Sequence, residues 1–251
     1  MQVHHCLGSA QAYYGMTGGF QRFAEKKGIL LIYPDTSMDS HCWDVSSAQT
    51  LKHDGGGDSE SISRMVLYAL KKYNADSSKV FATGLSSGAM MTNVLMATYP
   101  DLFAGGAAFS GVPYGCLAKD ERTGRPQEKG HSSPFSDYSG CPQGKLPAKS
   151  ASSWGAQVRE AYPGYVGPRP KMMAWHETMD PIVKYVNLAE EMKQWSDILG
   201  VSFKGNVSND PSSGYTKMVY GDGTKLVGYS IVGANHFIPE QPVVVTKFWG
   251  L

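Results

Sequence analysis

The segment Gly84-Leu85-Ser86-Ser87-Gly88 places a serine in the pattern G-x-S-x-G, a spacing that suits nucleophilic chemistry. An apolar run, Val80–Thr83, leads into it. A helical pattern from Ser87 to Thr98 leads out and stops before Pro100. A turn this sharp forces strained backbone angles on the serine, and flanking glycines remove the Cβ atoms that would clash. The Ser86 hydroxyl is then lifted above a sheet edge at a helix N-terminus, where developing negative charge is favoured. The five-residue pattern is common by chance. In its strand–turn–helix setting it reads as a nucleophile rather than a structural turn.

A serine nucleophile needs a base, and the base needs an orienting acid. In a strand–turn–helix hydrolase the chain order is serine, acid, histidine. Of seven histidines, only His176 and His236 lie well past Ser86 at candidate strand ends. His236 follows the run Val227–Val232 near the C-terminus, where the base belongs. His176 ends the run Met172–Trp175, and Asp180 lies just beyond it on the same edge. The expected triad is Ser86, Asp180 and His236. Taken alone, His236 reads equally well as a satisfied loop histidine; the chain order separates the two. An oxyanion needs two backbone N–H donors. One falls to Ser87, and the other to Cys6 in the early stretch His4-His5-Cys6-Leu7-Gly8-Ser9.

These residues need a scaffold that brings strand ends together. Strand candidates Ile29–Tyr33, Val80–Thr83, Gly105–Phe109, Met172–Trp175, Lys217–Tyr220 and Val227–Val232 alternate with helix candidates Phe20–Lys27, Ser59–Tyr73, Ser87–Thr98 and Leu188–Leu199. Ile62, Met65, Val66, Ala69 and Leu70 recur at helical spacing, and Gly28 and Gly200 are natural helix stops. The alternation predicts an α/β-hydrolase fold, a mostly parallel central sheet with helices on both faces, in one catalytic domain over residues 1–251. The stretch from Val112 to about Pro170 is rich in Gly, Pro and Ser and reads as a long functional loop.

Composition narrows the class of protein. The 251 residues are 41% hydrophobic and 18% charged, as in a folded globular chain, and the net charge of +1 offers nothing to nucleic acid. No apolar run approaches the ~20 residues that span a bilayer. Cys6, Cys42, Cys116 and Cys141 lie too far apart for a zinc pattern and leave four thiols or two disulfides equally open. Asn206-Val207-Ser208 is a sequon usable in a secreted protein.

Longer segments carry a resemblance. Cys42-Trp43-Asp44-Val45-Ser46-Ser47, Gly55-Gly56-Gly57-Asp58-Ser59, Gly84–Asn93 and Tyr99–Phe103 resemble the acetylxylan and feruloyl esterases of carbohydrate esterase family one. So do Tyr162–Gly164, Arg169–Met172 and the surroundings of His176 and His236. These enzymes stand close to the polyhydroxybutyrate-depolymerase-like esterases. The resemblance covers nearly the whole chain. It implies a secreted serine esterase that removes ester-linked groups from xylan, with no metal or organic cofactor and with Ser86, Asp180, His236 and Cys6 in the roles above. It also implies the disulfides Cys6–Cys42 and Cys116–Cys141. Between acetyl and feruloyl substrates the central motifs lean slightly to acetyl. A feruloyl pocket needs aromatic walls, for which Trp43, Tyr114 and Trp154 are the candidates; the bland reading of each is core packing.

The chain departs from the family at three points. Glu177 stands where the family has glycine in His-Gly-x-x-Asp, which puts strain on the turn or displaces Asp180. Asn235 stands in Gly233-Ala234-Asn235-His236 where the family has glycine, and asparagine tolerates left-handed angles. The family also has further residues before the point matching Val3, so its early strands are expected to be truncated here, with a longer parent protein and a marginally stable or self-associating chain. These departures motivate an alternative, a catalytically weakened relative that still binds xylan.

Overall fold

The computed structural model describes residues 1–118, 140–145, 149–233 and 235–251. Ala234 and part of the expected long loop therefore lie outside the described residues. Seven strands form one sheet: β1 (Gln2–Val3), β2 (Phe81–Leu85), β3 (Gly105–Phe109), β4 (Lys171–Glu177), β5 (Phe203–Ser208), β6 (Tyr215–Tyr220) and β7 (Leu226–Ile231). Their order is β1-β2-β3-β4-β7-β6-β5. The first five in that order run parallel, and β6 and β5 close the far side as an antiparallel pair.

Side chains on successive strand residues point to opposite faces, and each face has its own core. Ala82, Met172, Ala174 and Leu226 pack with residues of α3 (Gly57–Tyr73), α4 (Ser87–Thr98), α5 (Ala151–Ala161) and α6 (Val186–Leu199). Phe81, Leu85, Phe109, Met173, Trp175 and Tyr229 pack with α1 (Ala10–Met16), α2 (Gly18–Lys27) and α7 (Pro242–Trp249). Trp175 lies stacked on Phe109 on one side and on Tyr229 on the other. All residues of α4 are buried, which fits a helix that is apolar around most of its circumference. Among the described residues no helix is long and apolar enough to cross a membrane.

Two expectations need correction. Ile29–Tyr33 is no strand. Its neighbour β1 is two residues long, and Gln2 N–H to Ile32 O, at 2.9 Å, is the bond between them, too little for a ladder. The Gly- and Ser-rich stretch holds a real helix, α5. Ser150 caps it by accepting from Ser153 N–H, and Trp154, Val158 and Ala161 form its buried stripe.

Candidate active site

Four parallel strands deliver the site to one edge. β2 runs into Ser86, whose φ of 57° and ψ of −119° lie where non-glycine residues rarely sit and cost on the order of 1–3 kcal/mol. The surrounding backbone leaves no alternative. A Cβ on Gly84 would lie 2.6 Å from Val3 O and 2.5 Å from the Gly88 carbonyl carbon, and one on Gly88 would lie 2.0 Å from Val3 O. The two glycines of the motif thus let the first turn of α4 rest directly on the backbone of β1. Ser86 N–H is tied to Phe109 O at 2.9 Å.

His236 follows β7 and is buried. Its Nδ1 lies 2.7 Å from Asp180 Oδ2, so the ionised carboxylate fixes the tautomer with the proton on Nδ1. Nε2 is buried and makes no hydrogen bond, which leaves a lone pair available. The backbone of His236 is held by Ser110, which follows β3 and donates its hydroxyl to His236 O at 2.9 Å. Ser86 and His236 are therefore linked through neighbouring residues, Phe109 and Ser110.

Asp180 is buried, and its Oδ1 accepts from the N–H groups of Ile182 and Val183 at 2.8 and 2.9 Å. Burial on its own would raise its pKa. Hydrogen bonds from His176 and His236, the His236 charge and the Ile182 N–H outweigh that and hold the carboxyl well below the usual range.

The two loop departures turn out to be partners. Glu177 is buried and its Oε2 accepts the Asn235 N–H. The Asp180 and His236 loops are sewn together further by Thr178 N–H to Ile231 O and Met179 N–H to Gly233 O, both 2.9 Å. Glu177 brings no left-handed strain, and Asn235 Oδ1 accepts from Phe237 N–H at 3.1 Å. A glycine at 177 would leave the Asn235 N–H without this acceptor.

Cys6 pairs with Cys42, and Cys116 with Cys141. The first bridge pins the loop after β1, which Leu7 N–H to Ser40 O (2.8 Å) and Trp43 Nε1–H to His4 O (2.8 Å) also hold. Among the described residues neither Cys6 N–H nor Ser87 N–H is engaged in a hydrogen bond.

Trp43, Tyr114 and Trp154 are buried among the described residues. Each is at most 5% exposed and spends its polar atom inside the protein: Trp43 on His4 O, Tyr114 on Leu51 O at 2.5 Å, Trp154 on Glu190 at 2.7 Å. The exposed apolar residues beside the site are ones the sequence did not single out. Leu7 adjoins Cys6, Met179 adjoins Asp180, and Phe237 adjoins His236, its ring edge-on to His5 at 5.1 Å. Being exposed and apolar in loops, they carry no periodicity to flag them. An apolar cavity of about 490 Å³ lies elsewhere, between α2, α3 and α7, and no candidate catalytic residue lines it.

A mostly parallel sheet covered on both faces, with a strained serine at the β2–α4 turn and a carboxylate–histidine pair on the same edge, defines an α/β-hydrolase. The family profile described as esterase PHB depolymerase matches residues 1–121. Feruloyl esterase B of Talaromyces funiculosus is 46% identical over 249 residues, which is 99% of this chain and 67% of that protein. Feruloyl esterase B of Neurospora crassa is 44% identical over 99% of this chain and 81% of its own length. Probable acetylxylan esterase A of Aspergillus fumigatus is 42% identical over 94% of this chain and 61% of that protein. The solved acetyl xylan esterase from Aspergillus awamori superposes with a TM-score of 0.89 at 36% identity, covering 99% of this chain and 87% of that one. The chain belongs to the family of feruloyl and acetylxylan esterases.

Proposed function

We propose that residues 1–251 act as one catalytic domain that hydrolyses carboxylic esters on xylan through an acyl-enzyme at Ser86. The observation that carries this reading is the Asp180–His236 hydrogen bond, with His236 Nε2 left free, on the sheet edge that presents the strained Ser86. Ser86 Oγ attacks the ester carbonyl while His236 Nε2 takes its proton. Asp180 stabilises the imidazolium. The oxyanion is held by the N–H groups of Cys6 and Ser87. Collapse of the tetrahedral intermediate returns the proton to the sugar oxygen, which leaves. Water, activated by His236, then releases the acid and restores Ser86.

The acyl group is the finer question. The central motifs lean to acetyl, but the relatives at 44–46% identity are named feruloyl esterase B and those at 41–42% acetylxylan esterase. Exposed Leu7, Met179 and Phe237 around the triad suit a planar aromatic acid. We take feruloyl esters as the first substrate class and acetyl esters as the second. The two disulfides, with a sequon on exposed β5, support a secreted enzyme. The Glu177–Asn235 bond accommodates two of the three departures that motivate the alternative of a weakened, xylan-binding relative, and turnover of a simple ester separates the two readings.

Ser86→Ala tests the mechanism. It should remove several orders of magnitude of rate on methyl ferulate and acetylated xylan with the fold unchanged. Substantial turnover by the pure variant would exclude Ser86 as nucleophile.

A further inference from the structure

His176 is the next-to-last residue of β4, its side chain wholly buried, and the mechanism above gives it no task. Its Nε2 lies 2.8 Å from Val183 O and 3.4 Å from Asp180 Oδ2. A carbonyl oxygen can only accept, so Nε2 must carry a hydrogen. That N–H is shared between the Val183 carbonyl and the Asp180 carboxylate. Asp180 thereby meets four donors: Ile182 N–H and Val183 N–H on Oδ1, His236 and His176 on Oδ2.

We propose that His176 is a positioning residue for ester hydrolysis, acting through Asp180 by clipping the 180–183 loop onto β4 and by drawing charge from the same oxygen that faces His236. The inference rests on the reading of Asp180 as the acid partner of His236. The Val183 carbonyl locks the His176 ring in one orientation. The second N–H then tempers how strongly Oδ2 attracts the His236 proton, and a base that releases its proton readily to the leaving group needs that tempering. Few other titratable groups bear on the ring. Its Nδ1 is buried without a partner. Glu191 of α6 acts on it electrostatically while bonded to Asn93 of α4 at 2.5 Å. The Tyr185 ring lies edge-on at 6.2 Å with its hydroxyl committed to Ser230. Glu177 on the same strand is committed to the Asn235 N–H.

The test uses His176→Leu in the full chain, with active sites titrated and the pH profiles of kcat and kcat/KM recorded. Ile182 and Val183 still hold Oδ1 in this variant, so Asp180 stays in place with a less tempered charge. The acid limb of kcat/KM should move up by about half a pH unit, kcat should fall several-fold, and KM should stay within about twofold. A fall in kcat with the acid limb unmoved or moved down would assign His176 a purely structural role and overturn the proposal. Should the variant not fold, ¹⁵N NMR of the unaltered enzyme decides the matter: His176 must be the Nε2–H tautomer near neutral pH, and an Nδ1–H tautomer overturns it. Asp180→Asn, run in parallel, keeps the two readings apart. Full activity in that variant would refute Asp180 as the acid, whereas an inactive Asp180→Asn beside an unshifted His176→Leu would refute only the role of His176.

Discussion

Glu177→Gly restores the residue that the family pattern carries at this turn, and it should make the enzyme worse. Glu177 is 9% exposed and its carboxylate holds the N–H of Asn235, the residue before His236. A charge-assisted hydrogen bond contributes about 1.5–3 kcal/mol, but exposed Asn235 can recover part of this from water. Roughly 1 kcal/mol is left as the loss. Glycine at the end of a strand adds about 0.5–1 kcal/mol through backbone entropy. The sum, about 2 kcal/mol, corresponds to a fall in Tm of about 4–8 °C for a chain of this size. If half of that loss is felt as freedom of the base loop, kcat falls up to about fivefold. The assay is hydrolysis of methyl ferulate with titrated active sites, alongside a thermal melt. Glu177→Gln keeps an acceptor oxygen and should fall between the two. A glycine variant with unchanged Tm and kcat would show that the acid and base loops are held by Thr178 and Met179 alone.

Further outcomes follow from the same geometry. Removing the first disulfide by Cys6→Ser with Cys42→Ser frees a loop with a sequence separation of 36 and should cost up to about 4 kcal/mol, with a larger loss of kcat than removing Cys116–Cys141; equal losses of kcat would argue against an oxyanion role for the Cys6 loop. Burial raises Glu191 from 4.5 to about 7, against the opposing effects of His176 and Asn93. Its folded value lies above its unfolded one, so the stability carried by the neutral acid is complete below about pH 4.5 and is lost as pH rises through about 7. Urea midpoints should therefore fall across that window in the natural chain and less steeply in Glu191→Gln; identical slopes would refute the shift. Phe237→Ala should lower kcat/KM for methyl ferulate about tenfold while leaving a simple acetyl ester within about twofold; equal losses on both would remove Phe237 from acyl recognition.

What could be read from the sequence was local or ordered along the chain. The Gly84–Gly88 turn announces itself because strand, glycine and helix signals fall within a dozen residues, and chain order then picks out Asp180 and His236. In the structure His236 Nδ1 and Asp180 Oδ2 lie 2.7 Å apart. β3 and α4 were legible to the residue, since both are apolar and sharply bounded. β5 was missed because an exposed edge strand containing Lys204, Gly205 and Asn206 shows no apolar alternation. Ile29–Tyr33 has the composition of a strand without the partner that makes one. Trp43, Tyr114 and Trp154 are buried, a fact that composition alone does not reveal, because the same ring types serve ligands and cores. The Glu177–Asn235 bond joins residues 58 apart in sequence, so two substitutions that look damaging singly are compatible only when the fold brings them together.

The close approach of Gly88 to Val3 O makes the Ser86 turn, the first turn of α4 and the root of the Cys6 loop one rigid block of main chain. The groups proposed to meet the transition state are thus placed by backbone against backbone. A side-chain exchange in the loops above leaves that block untouched so long as Gly84 and Gly88 stay. Diversity in substrate then has a natural address in the exposed side chains of the loops above it, at positions such as Leu7, Met179 and Phe237, where exchanging one group for another reshapes the mouth without moving the machinery below.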